Sequence, residues 1–116
     1  MGDVWFTEVA DELARCLVDA RHCADAGEQL LQSPQVEGHR KIAFDALVAP
    51  VAVSHVLIEL IDYAPQLALA AARLLADTAD TGAVTLGALD GVDTAAATAA
   101  LRRVASSARA LLDATS

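Results

Sequence analysis

The stretch Cys16-Leu-Val-Asp-Ala20-Arg-His-Cys23-Ala-Asp-Ala-Gly27-Glu-Gln-Leu30 decides the fold. Its small and apolar residues Cys16, Ala20, Cys23, Gly27 and Leu30 follow one another by four, three, four and three. An α-helix turns once in ~3.6 residues, so this rhythm gathers all five on one face. The two cysteines of the chain both lie on that face, seven residues apart. That separation is ~10.5 Å of helix rise, which forbids a disulfide between them within one helix.

Working outward, the same period recurs and no strand-like alternation interrupts it. Helix 1 is expected from about Asp3 to Gln32, capped by Asp3, with Glu8, Asp11 and Glu12 favouring its early turns. Its inward seam reads Val9, Leu13, Cys16, Ala20, Cys23, Gly27 and Leu30. Ser33-Pro34 closes it and opens helix 2, with Ser33 as N-cap and Pro34 at the first helical position. Helix 2 is expected to reach about Tyr63, with a kink where Pro50 removes the hydrogen bond to the Ala46 carbonyl. Ala64-Pro65 starts helix 3, which runs to about Gly82–Leu86. After a loop from Gly87 to Asp93, Asp93 or Thr94 caps helix 4, ending near Asp113.

Helix 3 offers a seam of Leu67, Ala71, Leu74, Thr78 and Thr81, and helix 4 one of Ala97, Leu101, Val104, Ala108 and Leu111. Helix 2 offers two. One is Phe44, Leu47, Val51, Ser54, Ile58 and Ile61. The other is Phe44, Val48, Val51, His55, Ile58 and Asp62. It is apolar nearly all round, which predicts a homo-oligomer formed through helix 2 or helix 1. Four helices with short connections predict an all-α fold, an antiparallel up-down-up-down four-helix bundle. A chain of 116 residues makes one domain, 1–116.

Composition narrows the function classes. The hydrophobic fraction is 55% but aromatics are only 3%. The apolar mass is therefore Ala, Leu and Val, which allows helix axes to approach toward the short end of ~8–10 Å. A net charge of −8 with scattered basic residues argues against nucleic acid. Arg102, Arg103 and Arg109 form the nearest approach to a basic patch and read as a solvated face. The run Ala46 to Ile61 is interrupted by Pro50, His55 and Glu59, which argues against a membrane span. The opening Met-Gly-Asp-Val-Trp has neither a basic nor an apolar signal region, so a cytoplasmic protein with reduced cysteines is expected.

The seam of helix 1 and the segment Leu101-Arg-Arg-Val104-Ala-Ser-Ser-Ala108-Arg resemble the four-helix-bundle cysteine-rich copper storage proteins, which are often mislabelled ferredoxin-like. In that family the inward faces carry cysteines at these same steps, hold many Cu(I) ions on thiolates and tend to form tetramers. Only Cys16 and Cys23 stand where the family places thiols. Ala20, Gly27, Leu30, Leu101, Val104 and Ala108 occupy the other matching positions. The resemblance thus implies the bundle fold and, at most, a low-capacity copper-binding descendant of a storage scaffold.

Three functional readings follow. In the first, Cys16, Cys23 and an inward His55 ligate Cu(I) or Zn(II), for which thiolate and imidazole are suited. The ~10.5 Å between the cysteines means that each needs partners from another helix or subunit. In the second, His55 and Glu59, four residues apart, share a face and act as a catalytic or ligand-binding pair in a small-molecule pocket, with Asp62 one turn further on. In the third, the bundle is a scaffold or interaction protein with no site. A carboxylate-bridged di-iron centre is disfavoured, because no Glu-x-x-His occurs. Asp19 and His22, like Glu37 and His39, read as solvated charges. Thr78, Thr81 and Thr85 read either as back-bonded to their own helix or as the polar lining of a cavity. Trp5 and Phe6 are expected to pack at one end of the bundle.

Overall fold

The computed structural model describes residues 9–115. The proposed Asp3 cap, Glu8 and the Trp5–Phe6 pair lie outside them. Four α-helices account for most of the described chain: α1 (Ala10–Gln32), α2 (Arg40–Tyr63), α3 (Ala68–Gly87) and α4 (Ala95–Ala114). No strand occurs among the described residues. Each helix packs against two others, α1 and α3 each lying against both α2 and α4. The chain is therefore all-α, with four helices closing around a shared interior.

The junctions follow local chemistry. The Ser33 hydroxyl accepts from the Gln35 amide at 3.3 Å, and Pro34 takes the first helical position. What they start is a short 3-10 helix, Pro34–His39, and regular α2 begins only at Arg40. The Arg40 guanidinium donates to the Leu31 carbonyl at 2.8 Å and ties the two helices together at this corner. Pro65 opens a second 3-10 turn, Pro65–Leu67, ahead of α3. At the last corner Asp93 accepts from the Ala95 amide at 3.1 Å, and Thr94 donates to the Leu86 carbonyl at 3.2 Å. Gly91 there has φ of +75°, a conformation that glycine adopts without steric penalty.

Burial matches the sequence expectation on two helices and departs from it on the others. All seven seam residues of α1 are buried, Val9 just ahead of its first turn, as are all five of α4. On α2 the more apolar of the two seams is the closer one, with Leu47 and Ser54 inside. Phe44, shared by both seams, is 50% exposed. Ala43, Ala46, Pro50 and Leu57 complete the inner face.

On α3 the expected seam is met only in part: Ala71 is buried and Thr78 half-buried, while the rest of the inner face lies about one residue away. Leu67 and Leu74 are each 52% exposed and Thr81 faces outward. Ala68, Ala72, Leu75, Ala79, Gly82 and Leu86 point inward instead. The reason lies in the fit. A Cβ on Gly82 would come within 2.5 Å of the Ala46 carbonyl oxygen, so α3 reaches α2 through its small face. That face also buries Leu75 and Leu86 completely, and its alanines and Gly82 let the two helices come close enough for dense contact.

Candidate functional site

Two places concentrate polar groups near the interior. The first is the thiol side of α1. Cys16 and Cys23 are 0% and 1% exposed and both are free. Each thiol meets a serine of a different helix, Cys16 that of Ser107 on α4 and Cys23 that of Ser54 on α2. Those hydroxyls are themselves anchored, Ser54 donating to the Pro50 carbonyl at 2.7 Å and Ser107 to the Val104 carbonyl at 3.2 Å.

Burial pushes the Cys16 thiol up to about 11, with Asp19 adding to the rise and the Ser107 hydrogen bond opposing it. Burial likewise raises Cys23, against the Ser54 hydrogen bond. Both sulfurs are therefore neutral S–H groups at pH 7. They are poor nucleophiles, and a metal must displace their protons to bind. Asp19, read from the sequence as part of a solvated face, is in fact buried at 6% exposure, while its neighbour His22 is exposed.

His55 does not join the cysteines. The seam that would carry it inward is not the buried one, so its side chain stays 58% exposed and its Nε2 lies 3.3 Å from Glu28 of α1. Glu59 and Asp62 are exposed as well. His55 meets Glu28 across the helices, because Glu28 sits on the neighbouring helix at the same height, and Glu59 stays exposed one turn along α2. Among the described residues no three His, Cys, Asp or Glu side chains converge as metal ligands would. The inward position expected of His55 is corrected on these grounds, and Cys16 and Cys23 keep separate surroundings.

The second place was not singled out from the sequence. A groove of about 370 Å³ opens between α2 and α3. Its α2 wall is Ile42, Asp45, Ala46, Ala49 and Pro50. Its α3 wall carries Asp77, Gly82 and the three threonines Thr78, Thr81 and Thr85. Pro50 lacks an N–H, so the Ala46 carbonyl loses its usual helical donor at the point where Gly82 presses against it. Thr78, Thr81 and Thr85, expected either to bond back to their own helix or to line a cavity, do both. Thr78 donates to Leu74 at 2.9 Å, Thr81 to Asp77 at 3.1 Å and Thr85 to Thr81 at 3.0 Å. The signal for the groove was Pro50 on one helix and Gly82 on the next, but only their juxtaposition gives it meaning.

Comparison with known proteins adds no family: no family model, no curated protein and no solved structure matches the chain.

Proposed function

We propose that this chain is an antiparallel up-down-up-down bundle that works as an interaction module and associates with further copies of itself through the outer face of α2. The antiparallel order is supported by pairings between successive helices. Glycine 27 meets Leu47 and Val51, and Gly82 meets Ala46 and Leu101. Asp80 pairs with Arg109, while Thr94 meets Leu86.

One observation carries the functional reading: the most apolar helix is also poorly covered. The segment Pro34–Tyr63 is long and apolar enough to cross a membrane, yet only 28% of its most apolar stretch is buried. Ile42, Phe44, Val48, Val56 and Tyr63 stand exposed along α2. Exposed apolar surface on this scale marks a contact surface. Asp45, His55 and Glu59 are exposed on the same helix. A lipid environment would have to desolvate these groups, whereas a second protein surface supplies partners for them.

Light scattering and sedimentation across a wide concentration range test this reading. Mass should rise with concentration, and Val48→Glu should weaken association by about a hundredfold, since it places an unpaired charge at the contact. A wild-type chain that stays monomeric throughout overturns the proposal.

A second reading, Cu(I) on Cys16 and Cys23 in a relative of the copper storage proteins, is favoured by one fact: both sulfurs face the interior. It demands proton release from raised thiols, so affinity must climb about tenfold per pH unit for each thiol proton displaced. Titration of the reduced protein with Cu(I) against a competing chelator reads this directly. Equal affinity in a Cys16→Ala, Cys23→Ala variant discredits it.

A further inference from the structure

The groove between α2 and α3 is lined by polar groups of one kind. The hydroxyl protons of Thr78, Thr81 and Thr85 are spent on backbone carbonyls, so their oxygens are left as acceptors. Asp45 and Asp77 add carboxylates, and neither is in an ion pair among the described residues. Arg109 of α4 is held by Asp80 and feels Asp77 only through space. No side chain lining the groove carries a hydrogen-bond donor that is still free. Between the acceptors lie Ile42, Ala49 and Pro50, an apolar strip without charge.

An acceptor-only surface rewards a ligand that brings donors and positive charge, and gives an anion nothing. The apolar strip rewards a short hydrocarbon between the donors. A dehydrated divalent metal wants six or more oxygens in one tight shell. The carboxylates here do not converge in that way with a third charged ligand. Spread acceptors suit an ammonium group instead.

We propose that this groove binds a small alkylammonium ion, of the class of the short aliphatic diamines. Its volume of about 370 Å³ suits a ligand of few heavy atoms. Asp45 and Asp77 hold the charge, the threonine oxygens take further N–H donors, and the methylenes lie on Pro50 and Ile42. The net charge of −8 draws such a cation from a distance. The groove shares Ile42 and Asp45 with the exposed face of α2, so ligand binding is measured at concentrations where the chain is monomeric.

Calorimetric titration with putrescine, together with amide chemical shifts, tests the proposal. Butanol serves as the uncharged control and magnesium chloride as the ionic one. Saturable binding should shift the amides of Thr78, Thr81 and Thr85. Asp45→Asn and Asp77→Asn should each weaken it by about fivefold, and the double variant should remove it. Both carboxylates are exposed, so these variants keep the fold, which circular dichroism verifies. Butanol binding as well as putrescine, magnesium displacing it at equal concentration, or a double variant of unchanged affinity would each overturn the assignment.

Discussion

The thiol side of α1 and the groove between α2 and α3 use the same local device to opposite ends. In both, a Ser or Thr hydroxyl donates to a carbonyl about one turn earlier in its own helix: Ser54 and Ser107 in the first, Thr78, Thr81 and Thr85 in the second. Where the helices close over the hydroxyl, it meets a buried thiol and the region is sealed. Where Pro50 and Gly82 bring two backbones together and leave a furrow beside them, the hydroxyl oxygens face solvent and can receive a ligand. The difference teaches that the polarity of a helical bundle is decided by what covers a group, not by which group it is.

The crossing at Gly82 is the sharpest place to break this contrast. Gly82→Ala drives a Cβ to 2.5 Å from the Ala46 carbonyl oxygen, which belongs to backbone and cannot turn aside. Chemical denaturation should show a loss of about 2 kcal/mol or more, despite the better helix propensity of alanine. Gly27→Ala on the thiol side meets side-chain methyls instead, Val51 Cγ2 at 2.7 Å and Leu47 Cδ2 at 3.3 Å. Those can shift, so the loss there should stay near or below about 1 kcal/mol. Equal losses in the two variants would erase the distinction between a backbone crossing and a side-chain one.

The sealed thiol gives the next effect. An unfolded cysteine titrates near 9.0, while Cys16 in the folded chain titrates at about 11. Above the lower value the unfolded chain releases this proton and the folded chain holds it, so rising pH favours unfolding. The stabilisation is complete below the lower value and is lost as pH climbs toward the upper one, a change of about 2–3 kcal/mol. Denaturation curves between these pH values should reveal it, and Cys16→Ala should flatten that dependence. Alkylation of the folded chain should be slow at pH 7 and accelerate with pH, whereas a solvent-exposed thiol would react at once.

The smallest effect belongs to the surface. Arg109 pairs with Asp80 across α3 and α4 with both side chains half exposed. Asp80→Asn should cost no more than about 1 kcal/mol, falling further as salt is added. His55→Ala, which removes the contact with Glu28, should cost less than about 0.5 kcal/mol and leave the fold intact. A large loss at His55 would mean that it packs more deeply than its exposure indicates.

How much was legible in advance varied helix by helix. In α1 and α4 charged residues such as Arg21, Asp25, Arg102 and Arg103 mark the outer face, so the inward stripe could be read directly and proved buried throughout. In α3 the sequence Ala68-Leu-Ala-Ala-Ala-Arg-Leu-Leu75 offers apolar residues on every side. Hydropathy then leaves the Leu74 and Leu75 faces nearly equal, and packing chose the one that carries Leu75, Leu86 and Gly82. In α2 the same lack of polar marking left two seams open, and with them the position of His55. The serine partners of the cysteines were not legible, because each comes from a different helix.

The order of apolar and polar residues determined that this chain is helical, where its corners fall, and that both cysteines turn inward, because each of these depends on neighbours within a turn or two. Which face of α2 and α3 is covered, which serine meets which thiol, and that a proline-freed carbonyl meets a glycine beside an acceptor-lined furrow were decided only by packing. The physical reason is that small side chains make several faces nearly equal in hydropathy, and the choice among them then falls to how closely the helices can approach.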